Sequence, residues 1–318
     1  MHIAVLGAGQ VGAALVPTLL ADRHTVTVLR RGAWAPQPAG RPDVACHGRA
    51  GATADPFCAP GVRRVSGDVL DPAVLSDALE GADAVVHAIH APYDSAVWRR
   101  DLLPREAAVL DAAAHRGIAA LFPESMYAWG RGAEDLPEGA PIAPDTPLGH
   151  VRADLLQARA AHPACTISLV ASDFVGPTAS VQSVQATLLD ATGAGRTAWV
   201  LGDPDMPHSL TALPDLAAAF VRCVADPERW APGGDAVLHA PTASAWSLRE
   251  EARAVARTAG APEPRIRRIP SPVLSVIGIV NAPARELRRQ RLLWERPCVL
   301  RPGVLGEPDH RDRVARPT

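Results

Sequence analysis

Residues 121–132, "LFPESMYAWGRG", put three chemically useful side chains within four positions: Glu124, Ser125 and Tyr127. A serine hydroxyl can donate a hydrogen bond to an oxygen that gains charge. A phenol can give up a proton when a nearby cation lowers its pKa. Arg131, four residues after Tyr127, is the cation nearest in sequence. The same stretch also reads as the end of a core strand with polar trim, and Glu124 fits that second description. The chain has only two tyrosines, Tyr93 and Tyr127, and its 32 basic residues are all arginine. With no lysine, Schiff-base and lysine-dependent catalysis are excluded.

A second pattern lies at the N-terminus. In "VLGAGQVG", Gly7, Gly9 and Gly12 have G-x-G-x-x-G spacing between a buried-strand run (3–7) and a helical stretch (10–23), the context the motif needs. Gly7 allows a tight turn, Gly9 lets backbone approach a pyrophosphate, and Gly12 lets helix and strand pack closely. The phosphates then meet the free N–H groups of the first helical turn, where Gln10 and Val11 sit. NAD enzymes usually carry an acid at the end of the second strand. Here Arg30 and Arg31 stand 23 and 24 residues after Gly7, which favours a 2′-phosphate and makes NADP(H) the expected cofactor ahead of NAD(H). Asp68, followed by Val69, either meets the adenine amino group or caps a helix. Ala88 and Ile89 end strand four, where the sheet edge should pass the middle of the cofactor.

The elements that must position these residues alternate. Strands are expected over 3–7, 24–31, 61–68, 83–89, 118–122 and 165–170, with helices over 10–23, 70–81, 98–116 and 148–161. Asp71, Pro72 and Gly81 mark the ends of the helix at 70–81. Strands separated by helices imply a Rossmann-type, doubly wound parallel α/β sheet. Later come a helix at 214–225, a capping box "SLRE" (247–250) and an arginine-rich strand (265–270). The expected division is a dinucleotide-binding domain over 1–177, with 205–240 returning to it. A small substrate-binding domain takes 178–204 and 241–300, and 301–318 is a polar tail. The segment from Gly32 to Gly61 reads as a long loop.

Composition narrows the class. The 318 residues carry a net charge of −2 and a pI of about 6.6, so no basic face for nucleic acid is expected. Five scattered cysteines read as free thiols in a reducing compartment. Cys46, His47 and Cys58 fit no common zinc spacing, so no metal is expected. No apolar run reaches the roughly 18 residues that span a bilayer, and the N-terminus is too short for a signal h-region. The expectation is a cytoplasmic protein that acts on a small-molecule substrate, with no membrane or nucleic-acid partner. The basic amphipathic stretch 284–296 reads as a solvated face or as a subunit contact, such as a homodimer would use.

The glycine motif, "SGDVLDPAVLSDALEGADAVVHAI", "ESMYAWG" and "VASDFVGP" (170–177) fall in order. Together they resemble the extended short-chain dehydrogenase/reductases, the NAD-dependent epimerase/dehydratase-like group, over roughly 1–240. The resemblance implies a Rossmann domain with a small, mostly C-terminal substrate domain. It puts Ser125 on the family's catalytic serine and the turn holding Ser172 and Phe174 beside the nicotinamide. It departs at the Y-x-x-x-K pair, where Leu148 and Arg152 stand. The supporting asparagine is also missing, since Asn281 is the only one in the chain. The chain therefore reads as an atypical member in which Ser125 hydrogen-bonds the substrate and Arg152 meets the ribose hydroxyls or acts in catalysis. The proton comes from a non-standard donor: Tyr127, then His90, with Asp173 and His150 as further options. Tyr93, Met126, Tyr127, His90, Phe174 and His208 are candidate substrate contacts, and Trp294 is either pocket wall or core. Three functions stay open: an NADP(H)-dependent oxidoreductase, a nicotinamide-assisted epimerase, isomerase or dehydratase, and a non-catalytic NADP-binding sensor.

Overall fold

A computed structural model describes residues 1–34, 55–180, 183–243, 245–270 and 281–306. Cys46 and His47 lie outside the described residues, as do most of the expected Gly32–Gly61 loop and residues 307–318 of the expected tail.

The chain opens with β1 (His2–Leu6), α1 (Gln10–Ala21) and β2 (Thr25–Arg30), then β3 (Val62–Ser66), α2 (Pro72–Ala78) and β4 (Ala84–His87). α3 (Ser95–Arg116), β5 (Ala119–Ser125), a 3-10 segment (Met126–Asp135), α4 (Pro147–Ala160) and β6 (Thr166–Ala171) follow. Seven strands form one parallel sheet in the order β11-β6-β5-β4-β1-β2-β3, in which β11 is Asp235–His239. The run Ile3–Leu6 is fully buried, as a central parallel strand covered on both faces must be. α1 and the later α6 (Leu213–Ala225) cover one face of the sheet, and α2 and α3 the other.

Local signals explain most boundaries. Asp71 caps α2 by accepting from Ala73 N–H at 2.9 Å. α3 begins three residues earlier than expected because Asp94 caps it, accepting from Ala96 N–H at 2.8 Å. β5 runs on to Ser125, past the expected end at 122. Its pairing with β4 stops at Leu121, while its pairing with β6 continues to Ser125↔Ala171. Pro123 thus lies where one edge of β5 has no partner strand, a place where a proline costs no ladder bond.

Beyond β6 come β7 (Asp173–Val175), α5 (Val184–Gly193), β8 (Ala198–Val200), β9 (Pro207–His208) and β10 (Leu210–Ala212), and all of these but β9 contribute to a second apolar cluster. After α6 come α7 (Pro227–Trp230), β11, β12 (Trp246–Ser247), α8 (Leu248–Thr258) and β13 (Ile266–Arg268). Both halves of the capping box at Ser247 and Glu250 are made. The expected helix 284–296 is two pieces, α9 (Ala282–Arg289) and α10 (Leu292–Glu295). Residues 301–306 are tied down: Arg301 N–H donates to Leu136 at 2.9 Å, and Leu305 packs in the main core. Cys58 is disulfide-bonded, which corrects the reading of five free thiols, while Cys165, Cys223 and Cys298 are free. Among the described residues, no helix is long and apolar enough to cross a membrane.

Candidate active site

The chain leaves β1 and β4 in opposite directions across the sheet, which opens a crevice at their carboxyl ends. Gly7 turns there with φ +121°, and a Cβ on it would lie 2.7 Å from the Ala88 carbonyl oxygen. A Cβ on Gly12 would lie 2.3 Å from the Gly7 carbonyl oxygen, so α1 is seated directly on the turn. Gly9 has nothing within 4 Å of where its Cβ would be, and it caps α1 without any side-chain hydrogen bond. The first N–H groups of α1 therefore open onto free space beside a Cβ-less turn, and this fits a pyrophosphate. A cavity of about 260 Å³ lies here, walled by Gly7, Gly9, Gly67, Ala88 and Ile89, with Arg30, Arg31 and His90 at its ends.

The other cofactor candidates distribute unevenly. Arg30 is turned into its own loop: its Nε donates to Gly32 at 3.1 Å, its Nη2 donates to Ala33, and its guanidinium lies 4.6 Å from the Trp34 ring centroid. Arg31 is exposed. Val11 and Val69 are core residues. Asp68 accepts from Leu70 N–H at 3.0 Å, and the cap of α2 is Asp71. The Gln10 side-chain oxygen Oε1 accepts from Ser180 N–H at 3.0 Å, which ties the segment after β7 to the start of α1. Ser172 donates its N–H to Thr211 at 2.9 Å, and Phe174 is half-buried against the main core.

Behind the rim, β5 and α4 carry a buried ionic network. Alternation puts Phe122 and Glu124 on one face of β5, and seven-residue spacing puts Arg152 and Arg159 on one face of α4. Arg159 is fully buried, with its guanidinium 4.1 Å from the Phe122 ring centroid. Its Nε and Nη2 donate to the two oxygens of Glu106 at 2.9 and 2.7 Å. Its Nη1 donates to Glu124 Oε2 and Ser168 Oγ, each at 2.9 Å. The other Glu124 oxygen accepts from Ser125 N–H at 2.7 Å and lies 3.4 Å from Arg152 Nε. Glu124 is 3 % exposed, so it is not surface trim. It fixes the backbone of Ser125 and touches both arginines, whose two charges it balances together with Glu106.

Arg152 extends the network to the rim. Its guanidinium lies 4.7 Å from the Trp98 ring centroid, and its Nη2 donates to His90 Nε2 at 3.2 Å. His90 Nδ1 lies 2.6 Å from the Ala91 carbonyl oxygen, so one neutral tautomer, protonated at Nδ1, satisfies both contacts. The residue is exposed at the cavity, but its ring packs edge-on against Trp98 at 4.9 Å. Enclosure of the ring, then the Arg152 charge, pulls its pKa down to about 4. At neutral pH His90 is thus a hydrogen-bond acceptor that positions Arg152, and its one proton is already engaged.

Tyr127 does not meet Arg131, which is exposed. Tyr127 accepts from the Tyr93 hydroxyl at 3.1 Å and stacks on Trp98, with ring centroids 6.2 Å apart and planes 13° apart. Burial, then the Asp173 charge, push its pKa above the ordinary phenol range, and Arg152 is the cation that opposes them. The expected activation by Arg131 is therefore corrected: three distant segments, holding Tyr93 and Trp98, Arg152, and Asp173, surround this phenol, and their sum disfavours the phenolate. Leu148 is fully buried in the cluster around Trp98, Val151 and Leu155, so α4 offers no proton donor there. Met126 packs in the core with Leu293 and Cys298, and His150 is exposed. His208 Nε2 lies 2.6 Å from Asp173 Oδ2, and its ring stacks on Trp294 at 5.6 Å. The structure thus gathers His90, Tyr93, Ser125, Tyr127 and Arg152 around Trp98 and Glu124, and it links Asp173 with His208.

Glu106, Arg159 and Trp98 escaped the sequence reading, in which Glu124 reads as trim. An acid that continues the Ala120–Phe122 face of β5, opposite two arginines seven apart, was the available signal. It becomes readable only once β5 and α4 are known to touch.

The profile described as the NAD dependent epimerase/dehydratase family matches residues 3–238. No curated protein matches the chain. Among solved structures, the dTDP-glucose 4,6-dehydratase of Bacillus anthracis str. Ames in complex with NAD superposes with a TM-score of 0.65 at 14% identity, covering 99% of this chain and 94% of that one. The Bordetella bronchiseptica enzyme WbmG in complex with NAD and UDP gives 0.67 at 19% identity, covering 98% and 91%. The UDP-N-acetylglucosamine 4-epimerase of Bacillus cereus gives 0.65 at 14% identity, covering 92% and 96%.

Proposed function

The chain belongs to the NAD-dependent epimerase/dehydratase family, and from that membership we propose that it passes a hydride between a nicotinamide cofactor and a small organic molecule. The observation that carries this reading is the turn at Gly7–Gly12, shaped at the sheet's reversal point for a pyrophosphate and left open at Gly9. Backbone from Gly9 to Gly12 would hold the phosphates, and Ala88 and Ile89 would flank the middle of the dinucleotide. A bound nicotinamide would supply or accept the hydride. Ser125 would donate a hydrogen bond to the substrate oxygen, and Arg152 would keep a positive charge beside it. Glu124 holds both in place.

We read the cofactor as NADP(H) in preference to NAD(H). No carboxylate is among the residues lining the cavity, and Arg31, which does line it, is exposed and could meet a 2′-phosphate. The Bacillus anthracis and Bordetella bronchiseptica structures hold NAD, so the preference rests on Arg31 and on the lack of a lining carboxylate. A second reading, in which the hydride returns to the same substrate during epimerisation or dehydration, draws support from the proton donors. His90 is neutral and Tyr127 is a reluctant acid, so a reaction with little net proton demand suits the rim.

Calorimetric titration with NADP+ and NAD+ tests the first step. NADP+ is expected to bind about tenfold more tightly, Arg31→Glu to erase that preference, and Gly9→Val to abolish both. If neither dinucleotide binds, the reading is wrong. Deuterated cofactor then separates the two chemistries, because net oxidation supports the first and exchange without net change supports the second.

A further inference from the structure

The side of α9 and α10 turned to the protein interior carries polar groups beside Ala284 and Leu293. Glu286, Gln290 and Trp294 follow at four-residue spacing and are 1 %, 2 % and 6 % exposed. Each has a buried polar atom without a hydrogen-bond partner: Glu286 Oε2, Gln290 Nε2 and Trp294 Nε1. Two of the three are otherwise anchored. Glu286 Oε1 accepts from Ser95 Oγ at 2.9 Å and from Arg289 at 2.7 Å, and the Trp294 ring stacks on His208. Those anchors place the stripe at the rim of the cleft. Ser95 follows Tyr93 by two residues, and His208 bonds Asp173. Glu286 and Asp173 are also close enough for both charges to act on Tyr93.

Buried polar groups are nearly always paired, because an orphan keeps its desolvation cost with nothing to offset it. One orphan is an ordinary exception. Three at four-residue spacing across the turn from α9 to α10, close to Tyr93 and Asp173, indicate a missing partner. The chemistry of the orphans describes it, for Glu286 Oε2 needs a donor and Gln290 Nε2 and Trp294 Nε1 need acceptors. A carboxylate would be repelled by Glu286, and an ammonium would leave both donors unmet. A neutral group with donor and acceptor side by side meets all three.

We infer that Glu286, Gln290 and Trp294 form a subsite for the non-reacting end of the substrate, a neutral amide or hydroxyl pair. The inference rests on the hydride-transfer reading of the cleft, and its test is separable from that reading. Thermal unfolding of the full chain is followed with and without NADP+. Each series adds glucose or myo-inositol, benzamide, benzoate, or benzylamine.

A neutral probe is expected to stabilise the wild type saturably, the hydroxyl and amide arms showing which source fits, while both charged probes leave it unmoved. Gln290→Leu, similar in volume but apolar, is expected to abolish that response. It should bind NADP+ as before and melt within roughly 2 °C of the wild type or higher, since an unpaired amide has been removed. The subsite is wrong if no neutral probe acts, if charged probes act equally, or if Gln290→Leu keeps the response. A fall in its melting point of more than about 4 °C would likewise show that Gln290 was already satisfied. Failure of NADP+ to bind would condemn the hydride-transfer reading, while the probe series alone still judges the subsite.

Discussion

Polar side chains are buried in two places beside the cleft. Around Arg159, every neighbour answers: two carboxylates and a serine take its hydrogens, and a phenyl ring covers its face. Along α9 and α10, three buried polar atoms have no partner. The first arrangement is complete without any ligand and can only hold the fold and the Ser125 backbone in place. The second is incomplete, and it adjoins Ser95 and His208 near Tyr93 and Asp173. Satisfied burial marks architecture, and the run of three unpaired groups is where the proposed subsite lies, whereas unpaired atoms elsewhere, such as those of His87, are given no ligand.

The sharpest way to break this contrast is to unbalance the complete network. Arg159→Met strands Glu106 and Glu124 in the interior and is expected to cost about 3–5 kcal/mol in urea unfolding. Adding Glu106→Gln and Glu124→Gln should recover much of that. A loss under about 1 kcal/mol would mean that the network is not structural.

Next in size is His87, which lies beside the network but outside it. It is 2 % exposed, and both ring nitrogens lack partners. Burial, then Arg159, Arg105 and Arg152, lower its pKa from 6.5 to about 3. The folded state therefore favours the neutral ring. The associated stability is present above pH 6.5 and is lost as pH falls from 6.5 toward 3, by up to roughly 4 kcal/mol. His87→Leu should flatten the acid limb of a stability–pH curve, and an unchanged limb would refute the assignment.

Glu124→Gln keeps the shape but removes the charge shared by Arg152 and Arg159. It is expected to cost about 2 kcal/mol and to lower kcat more than it weakens dinucleotide binding, because Ser125 and Arg152 lose their common anchor. A variant with wild-type kcat would sever the network from catalysis. The smallest effect should come from a satisfied but solvent-near group in the second cluster. Ser247→Ala breaks the capping box of α8 at about 1 kcal/mol, with dinucleotide affinity unchanged.

The cofactor half was the more legible part of the sequence. Gly7, Gly9 and Gly12 act through their own missing Cβ atoms and through a turn that spans a few residues, so spacing alone reveals them. Asp71 and Ser247 were readable as caps for the same reason. The rim was not. Ser125 could be named, but Glu124 read as trim and Arg131 as the cation beside Tyr127. Their true surroundings come from α3, α4 and β7, between 20 and about 50 residues away in the chain.

The sequence by itself determined the alternating strands and helices, the phosphate-type turn, and the loss of a tyrosine and a lysine from α4. Those properties belong to single residues or to neighbours within a few positions, where steric freedom and periodicity act. Only the tertiary structure made Glu124 the shared counter-ion of two arginines and turned His90 from a proton donor into an acceptor. Only it left Glu286, Gln290 and Trp294 without partners. Burial and charge act through space, so the pKa of a ring or the need of a carboxylate is set by which segments the fold presses against it.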